Sequence, residues 1–139
     1  MAEKVSNNKW FGYAVQALVV LAEYDGLCPS AKVAGKLESR SAFLRKILTY
    51  LVKAELVCAK EGRDGGYYLA RPAEEITLRD VYEAMQFAEP FSSVLVDLNN
   101  KSCLYPSTYD ALVELREEME VWILHGLEQK TIAQFIPKE

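Results

Sequence analysis

The sequence predicts a mainly α fold: a winged helix-turn-helix with a two-stranded wing, followed by a long C-terminal helix. Three observations lead to this prediction. Apolar residues recur at helical spacing in three successive stretches before residue 55. A glycine-rich turn, GRDGG at 62–66, then separates two short apolar runs, which is typical of a β-hairpin. A capped helix and a long amphipathic stretch follow the hairpin.

The chain has 139 residues, half of them hydrophobic, so it can bury a real core. We divide it into a winged-helix domain at 1–88, a connecting loop at 89–106, and a long helix with its tail at 107–139. The loop assignment depends on Pro90 and Pro106, which interrupt regular structure. The chain is therefore expected to form one domain with an appended helix.

Three helices are predicted before the hairpin. The first covers 9–24, and Ser30 is placed to cap a short second helix at 31–37. A brief turn separates this helix from the third, which covers 40–54. Two helices joined by so short a turn form a helix-turn-helix, whose second member is the recognition helix.

The hairpin and the helix after it have clear local signals. Asp64-Gly65 predicts a tight primed turn between strands at 56–58 and 67–69. Thr77 and Asp80 have the spacing of a capping box, which starts a fourth helix at 78–87. A hairpin directly after a recognition helix is a wing.

The long helix is expected from Ser107, as its cap, to His125, a length of about 28 Å. An apolar stripe runs along it. This stripe can pack on the first helix of its own chain or on a second copy, and we expect a symmetric homodimer because a small winged helix leaves little free core. The expected interface residues are Leu112, Leu115, Met119, Trp122 and Ile123.

Charge is distributed unevenly along the chain. The formal net charge is −4, yet residues 1–72 hold 11 Lys and Arg against 7 Asp and Glu, a net +4. Residues 73–139 hold 5 against 13, a net −8. A basic half that contains a helix-turn-helix and a wing favours a polyanionic partner, double-stranded DNA.

Particular side chains are expected to contact that DNA. Arg40 begins the recognition helix, where a guanidinium can bond bidentately to a guanine edge. Arg63 at the wing tip is suited to a minor groove, and Lys60 to the neighbouring backbone. The alternative is that these are ordinary solvated charges, with Arg63 paired to Asp64. The full set of expected DNA contacts is Lys9, Ser30, Arg40, Ser41, Phe43, Arg45, Lys46, Lys60, Arg63, Gly65 and Gly66.

Other classes of protein are disfavoured. The apolar run at 14–22 is broken by Gln16 and is too short to span a bilayer, and no leader pattern opens the chain, so a cytoplasmic protein is expected. Three separated cysteines form no disulfide framework or CxxC metal motif. With one histidine, no phosphate-binding loop and no paired nucleophile and base, an enzyme is not expected.

The run GRDGGYYLARPAEEITLRDVYEAM at 62–85 resembles the hallmark of the Rrf-two family of bacterial winged-helix transcription regulators. The runs GYAVQALVVLA, FLRKILTYLVKAELV and LEQKTIAQFI resemble it as well, so the resemblance covers nearly the whole chain. It implies a dimeric regulator of palindromic operators, with recognition helix and wing on DNA and the long helix as dimer interface. We expect a repressor.

The chain departs from the family pattern at two places. Many members hold an iron–sulfur cluster through three cysteines in the connecting segment, which here contains only Cys103. Glu89 and Asp97 are the conceivable oxygen ligands, but no cluster or other metal is expected. Cys103, near Lys101, is a candidate redox sensor, and an unknown effector is the alternative. Glu38 stands where a turn glycine is common, which leaves the turn geometry open.

Two rival functions are weighed against this interpretation. The winged helix also serves as a protein–protein adaptor without DNA binding, and such a contact would not share the steep salt dependence of phosphate binding. Ligand-responsive regulators of the multidrug or phenolic-acid type have a winged helix and a long dimer helix too. The run GGYYLARP…EITL fits them poorly.

Overall fold

The computed structural model describes residues 7–85, 92, 96, 98 and 105–138. These residues form the predicted winged helix-turn-helix followed by a long helix. No helix in this described part is long and apolar enough to cross a membrane. The elements, in chain order, are α1 (Asn7–Glu23), α2 (Ser30–Lys36), α3 (Ser41–Lys53), β1 (Val57–Lys60), β2 (Gly66–Leu69), a first 3-10 turn (Ala73–Glu75), α4 (Leu78–Ala84), α5 (Pro106–Glu128) and a second 3-10 turn (Ile132–Phe135).

The core lies between α1, α3, the hairpin and α4. The recognition helix α3 buries an apolar stripe of four residues, Leu44, Ile47, Leu48 and Leu51. These residues recur at spacings of three and four, so they share one face of the helix. Further side chains from α1 and α4 meet this stripe. The largest fully buried side chains include Leu18, Leu44, Ile47, Leu48, Leu51, Leu56, Ile76, Val81, Met85 and Ile132.

Two predicted helix caps are wrong, and one is confirmed. Ser30 and Ser107 lie inside α2 and α5, which begin after Pro29 and Tyr105 without any side-chain cap bond. In α5 the first position is taken by Pro106, whose missing N–H costs nothing there. The capping box of α4 is formed: Asp80 N donates to Thr77 Oγ1 at 3.1 Å, and Thr77 N donates to Asp80 Oδ2 at 3.0 Å.

The recognition helix ends in a Schellman motif with a glutamate at the usual glycine position. Leu56 N donates to Leu51 O at 3.0 Å, and Glu55 N donates to Val52 O at 3.0 Å. This geometry requires a left-handed residue, and Glu55 has φ +62°. The buried pair Leu51 and Leu56 supplies the hydrophobic contact that accompanies the motif.

Helix α2 ends in the same way, which settles the turn geometry between the two helices. Ser39 N donates to Ala34 O at 2.9 Å, and Glu38 has φ +51°. Glu38 therefore adopts the left-handed conformation that a glycine would adopt at lower cost. The turn keeps the glycine geometry despite the departure from the family pattern.

The hairpin pairs Val57 with Leu69 and Lys60 with Gly66, which leaves a five-residue loop at 61–65. We call β1, β2 and this loop the wing. The predicted two-residue Asp64-Gly65 turn is wrong, because the positive φ of +113° falls at Gly62 instead. Gly65 N donates to Gly62 O at 3.1 Å and closes the loop.

The C-terminal end of the chain returns to the winged-helix core. Leu78 N donates to Lys130 O at 2.9 Å, and Ile132 N donates to Ile76 O at 2.9 Å. Ile132 is fully buried, whereas α5 itself contains no fully buried residue. The predicted boundary at residue 107 therefore divides the tail, with Ile132, from the core that the tail completes.

The left-handed glutamate at the end of α3 yields a stability prediction. Glu55→Gly is expected to raise the free energy of unfolding by about 0.5–1 kcal/mol, since glycine relieves the Cβ strain and removes a carboxylate from the negative end of the helix. Chemical denaturation measures this change. Glu61→Gly is the matched control, an exposed loop glutamate whose φ is not positive, and it should lower stability slightly. Equal effects of the two substitutions would contradict the strain argument.

Candidate nucleic-acid interface

The start of the recognition helix is open to solvent. Arg40 is the N-cap residue of α3, in extended backbone conformation, and its side chain is exposed. Ser41 and Arg45 are exposed as well. The structure thus leaves these three residues exposed at the N-terminal end of α3.

Lys46 and Phe43 lie on the α1 side of the same helix. Lys46 Nζ lies 5.9 Å from the centroid of the Trp10 ring, a cation–π distance. The Phe43 ring packs edge-to-face on Trp10 at 5.4 Å and on Tyr13 at 5.3 Å. Phe43, expected to contact DNA, is half-buried in this aromatic packing, because position 43 adjoins the buried stripe. Phe43 thus packs α3 against α1, and its expected DNA contact stays a prediction.

The wing tip carries an exposed cation. Arg63 lies in the 61–65 loop with exposed neighbours on both sides. The alternative pairing with Asp64 is not formed: within the described ranges, no acidic side chain lies at salt-bridge distance from Arg63. Lys60, at the end of β1, is exposed too. The wing therefore presents two cations to solvent.

Gly65 and Gly66 lie too close to neighbouring backbone atoms for any side chain to fit at these positions in the wing. The backbones of Cys28 and Tyr67 exchange two hydrogen bonds of 2.9 Å each, which pairs the loop before α2 with β2. A Cβ at Gly66 would lie 2.7 Å from Cys28 O, and one at Gly65 would overlap Lys60 O. Gly66 is also buried. Gly66 allows the close approach of two backbones, and its expected DNA contact stays a prediction.

An open cleft of about 720 Å³ lies between the start of α2, the second half of α3 and the wing. Ser30, half-buried, lies at its edge together with Lys60 and Arg63. Thr49 and Lys53 line it as well and were missed by the sequence prediction. They follow Arg45 by four and eight residues, so helical spacing could have identified them. The lining contains three cations and one carboxylate, Glu61.

This arrangement suits a phosphodiester chain. Lys53 stands on the α3 wall of the cleft and Lys60 and Arg63 on the wing wall, whereas Arg40 and Arg45 are exposed outside this lining. Exposed guanidinium and ammonium groups on two walls of a cleft can neutralise successive phosphates. The expected contact at Lys9 belongs to α1, but the position of its side chain lies outside the described part of the chain.

The candidate metal and redox residues are mostly beyond what the structure describes. Cys103, Lys101, Glu89 and Asp97 lie outside the described residues. Within the described ranges, no group of three His, Cys, Asp or Glu side chains could hold a metal. Burial raises the pKa of the Cys28 thiol, with a partial opposing effect from nearby Lys32 and Lys36.

The long helix packs against α4 and leaves much of its apolar stripe exposed. Leu115 and Trp122 are 37% and 60% exposed, whereas Leu112, Met119 and Ile123 are half-buried. The contact with α4 includes an ion pair between Arg79 and Glu128 at 3.4 Å. The exposed stripe is thus available for packing against another surface.

Comparison with known proteins identifies the family. Residues 7–138 match the family Rrf2, described as iron-dependent transcriptional regulators. The chain belongs to the Rrf2 family. It is 32% identical over 123 residues to a Mycobacterium tuberculosis H37Rv protein named as an HTH-type transcriptional regulator, covering 87% of this chain and 74% of that one. It is 38% identical over 78 residues to IscR of Cereibacter sphaeroides, covering 53% of this chain and 50% of IscR.

Solved structures support the fold. IscR of T. potens superposes with a TM-score of 0.64 and 24% identity, covering 97% of this chain and 87% of that one. CymR of B. subtilis, the global cysteine regulator, gives a TM-score of 0.63 and 21% identity, covering 96% of each chain. The predicted resemblance to the Rrf-two family and the predicted winged-helix fold are both confirmed.

Proposed function

We propose that this DNA-binding transcription regulator binds palindromic operators as a homodimer and acts as a repressor. One observation carries the proposal: an open cleft has Lys53 of the recognition helix on one wall and the wing cations Lys60 and Arg63 on the other. A two-fold dimer would place two such clefts on successive half-sites of DNA. The relatives are named as transcriptional regulators, which agrees with a regulator rather than an enzyme.

The roles of the cations follow from their positions. Arg40, at the helix start, is assigned to a guanine edge in the major groove, and Arg45 to phosphate. Arg63, with no ion-pair partner in the described part of the chain, is assigned to the minor groove. Lys53 and Lys60 line the cleft between them and are assigned to the intervening backbone.

The homodimer proposal depends on α5. Its apolar stripe includes Trp122, which is 60% exposed, and no residue of the helix is fully buried. We call the elements α1 to α4 with the wing the winged body. A second copy of the chain would cover the α5 stripe by helix packing and would link two winged bodies with the two-fold symmetry of a palindrome.

We infer that regulation does not use an iron–sulfur cluster. The segment from 87 to 106 contains one cysteine, and the single histidine of the chain, His125, is an exposed residue near the end of α5. These donors do not fit a cluster that needs several thiolates or imidazoles. An effector of another kind, or oxidation of Cys103, is the remaining proposal for the signal.

Replacing the two key arginines should separate their roles. Arg63→Ala is expected to weaken binding to many sequences alike and to reduce the salt dependence, while Arg40→Ala should cost about 1–3 kcal/mol of base discrimination. The measurement is binding to genomic fragments enriched by the purified protein, titrated against salt. Lys130→Ala, an exposed lysine that does not line the cleft, is the control. A shallow salt slope for the unmodified protein would favour the adaptor function instead.

The dimer interface can be tested on α5 alone. Trp122→Glu is expected to produce monomers, because two buried carboxylates would meet across the two-fold axis. Sedimentation velocity measures the change. Val121→Glu is the matched control: its side chain is 64% exposed and lies off the stripe. A Trp122→Glu protein that sediments like the unmodified protein would contradict this interface.

A further inference from the structure

A polar cluster away from the cleft joins three parts of the chain. Oε2 of Glu120 accepts a hydrogen bond from Tyr82 Oη at 3.0 Å and another from Ser92 Oγ at 2.8 Å. Tyr82 belongs to α4, Glu120 to α5, and Ser92 to the segment that connects the two helices. Ser92 is 1% exposed and Tyr82 is 3% exposed. Water therefore cannot easily replace either donor.

Both donors are themselves held by other parts of the molecule. The Tyr82 ring packs edge-to-face on Phe11 of α1, with centroids 6.1 Å apart. Ser92 O accepts a hydrogen bond from Val96 N at 3.1 Å, and Val96 is buried. Glu120 thus connects α5 both to the winged body and to the connecting segment.

The other contacts of α5 are less buried. None of its residues is fully buried, and Leu127 near its C-terminal end packs half-buried against the core. The Arg79–Glu128 ion pair has side chains 36% and 51% exposed, where solvent weakens such pairs. The carboxylate of Glu120, which receives two hydrogen bonds from buried donors, is the better-defined link.

We propose that Glu120 is a positioning residue for DNA binding. Through Tyr82 and Ser92 it sets the angle of α5 against the winged body, and so the separation of the two recognition helices in the dimer. This inference rests on the proposed homodimeric function, because half-site spacing has meaning only for two linked winged bodies. A change in the connecting segment that withdrew Ser92 would release this angle without touching the DNA-binding residues.

The test uses full-length protein and a series of DNA duplexes. The half-site enriched from genomic DNA is placed as a palindrome at its natural spacing, at spacings altered by about one or two base pairs, and alone. Glu120→Ala is expected to lose about tenfold in preference for the natural spacing, with affinity for the single half-site unchanged. Glu120→Gln, whose amide oxygen still accepts both hydrogen bonds, should restore the preference. Glu118→Ala, an exposed neighbour on α5, is the control.

A second variant keeps the inference testable if Glu120→Ala does not fold. Ser92→Ala should also reduce spacing preference, and in the Glu120→Ala background it should add nothing, because both changes remove the same hydrogen bond. Thermal melting of each variant confirms that it is folded. An equal loss on every duplex, or an unchanged spacing preference, would overturn the positioning role.

Binding by the unmodified protein distinguishes failure of the homodimer proposal from failure of the Glu120 proposal. If it binds the palindrome no better than the single half-site, or sediments as a monomer on it, the homodimer proposal fails, and the role of Glu120 fails with it. If it prefers one spacing and the variants share that preference, the homodimer stands and only the role of Glu120 is overturned.

Discussion

The cleft proposed to bind DNA depends on one close approach between two backbones. Cys28 and Tyr67 exchange two hydrogen bonds, and Gly66 lies so near Cys28 that any side chain there would collide with its carbonyl. This contact ties the loop before α2 to the second strand of the wing. The wing is therefore fixed to the helix-turn-helix, and the cleft between them has two defined walls.

Specific local contacts also order the chain after the wing. The capping box of Thr77 and Asp80 starts α4 directly behind the wing, and the returning tail completes the core with Ile132. Between these points α5 leaves the winged body with its apolar stripe exposed. The cleft thus presents cations to solvent, while α5 presents an apolar stripe that is partly exposed. Glu120 links α5 to Tyr82 of α4 and to Ser92.

Much of this architecture can be predicted from local sequence, and some of it cannot. The helices and the wing follow from apolar periodicity and glycine placement, and the capping box follows from two residue types three positions apart. The predicted caps at Ser30 and Ser107 were wrong because a proline beside each serine sets the helix start. The partnership of Cys28 with Tyr67, and that of Glu120 with Ser92, joins residues far apart in sequence. Periodicity carries no information about such pairs, and Phe43 shows that a residue next to a buried stripe can face either way.

The most direct test of the account is the DNA affinity of Gly66→Ala, measured on enriched genomic fragments beside Gly12→Ala. A Cβ at Gly12 meets no atom within 4 Å, so this control should bind as the unmodified protein does. Gly66→Ala is expected to lose about tenfold or more in affinity as the wing is displaced from Cys28, and thermal melting checks that the variant is folded. Unchanged affinity in a folded Gly66→Ala protein would contradict the claim that recognition helix and wing act as one surface.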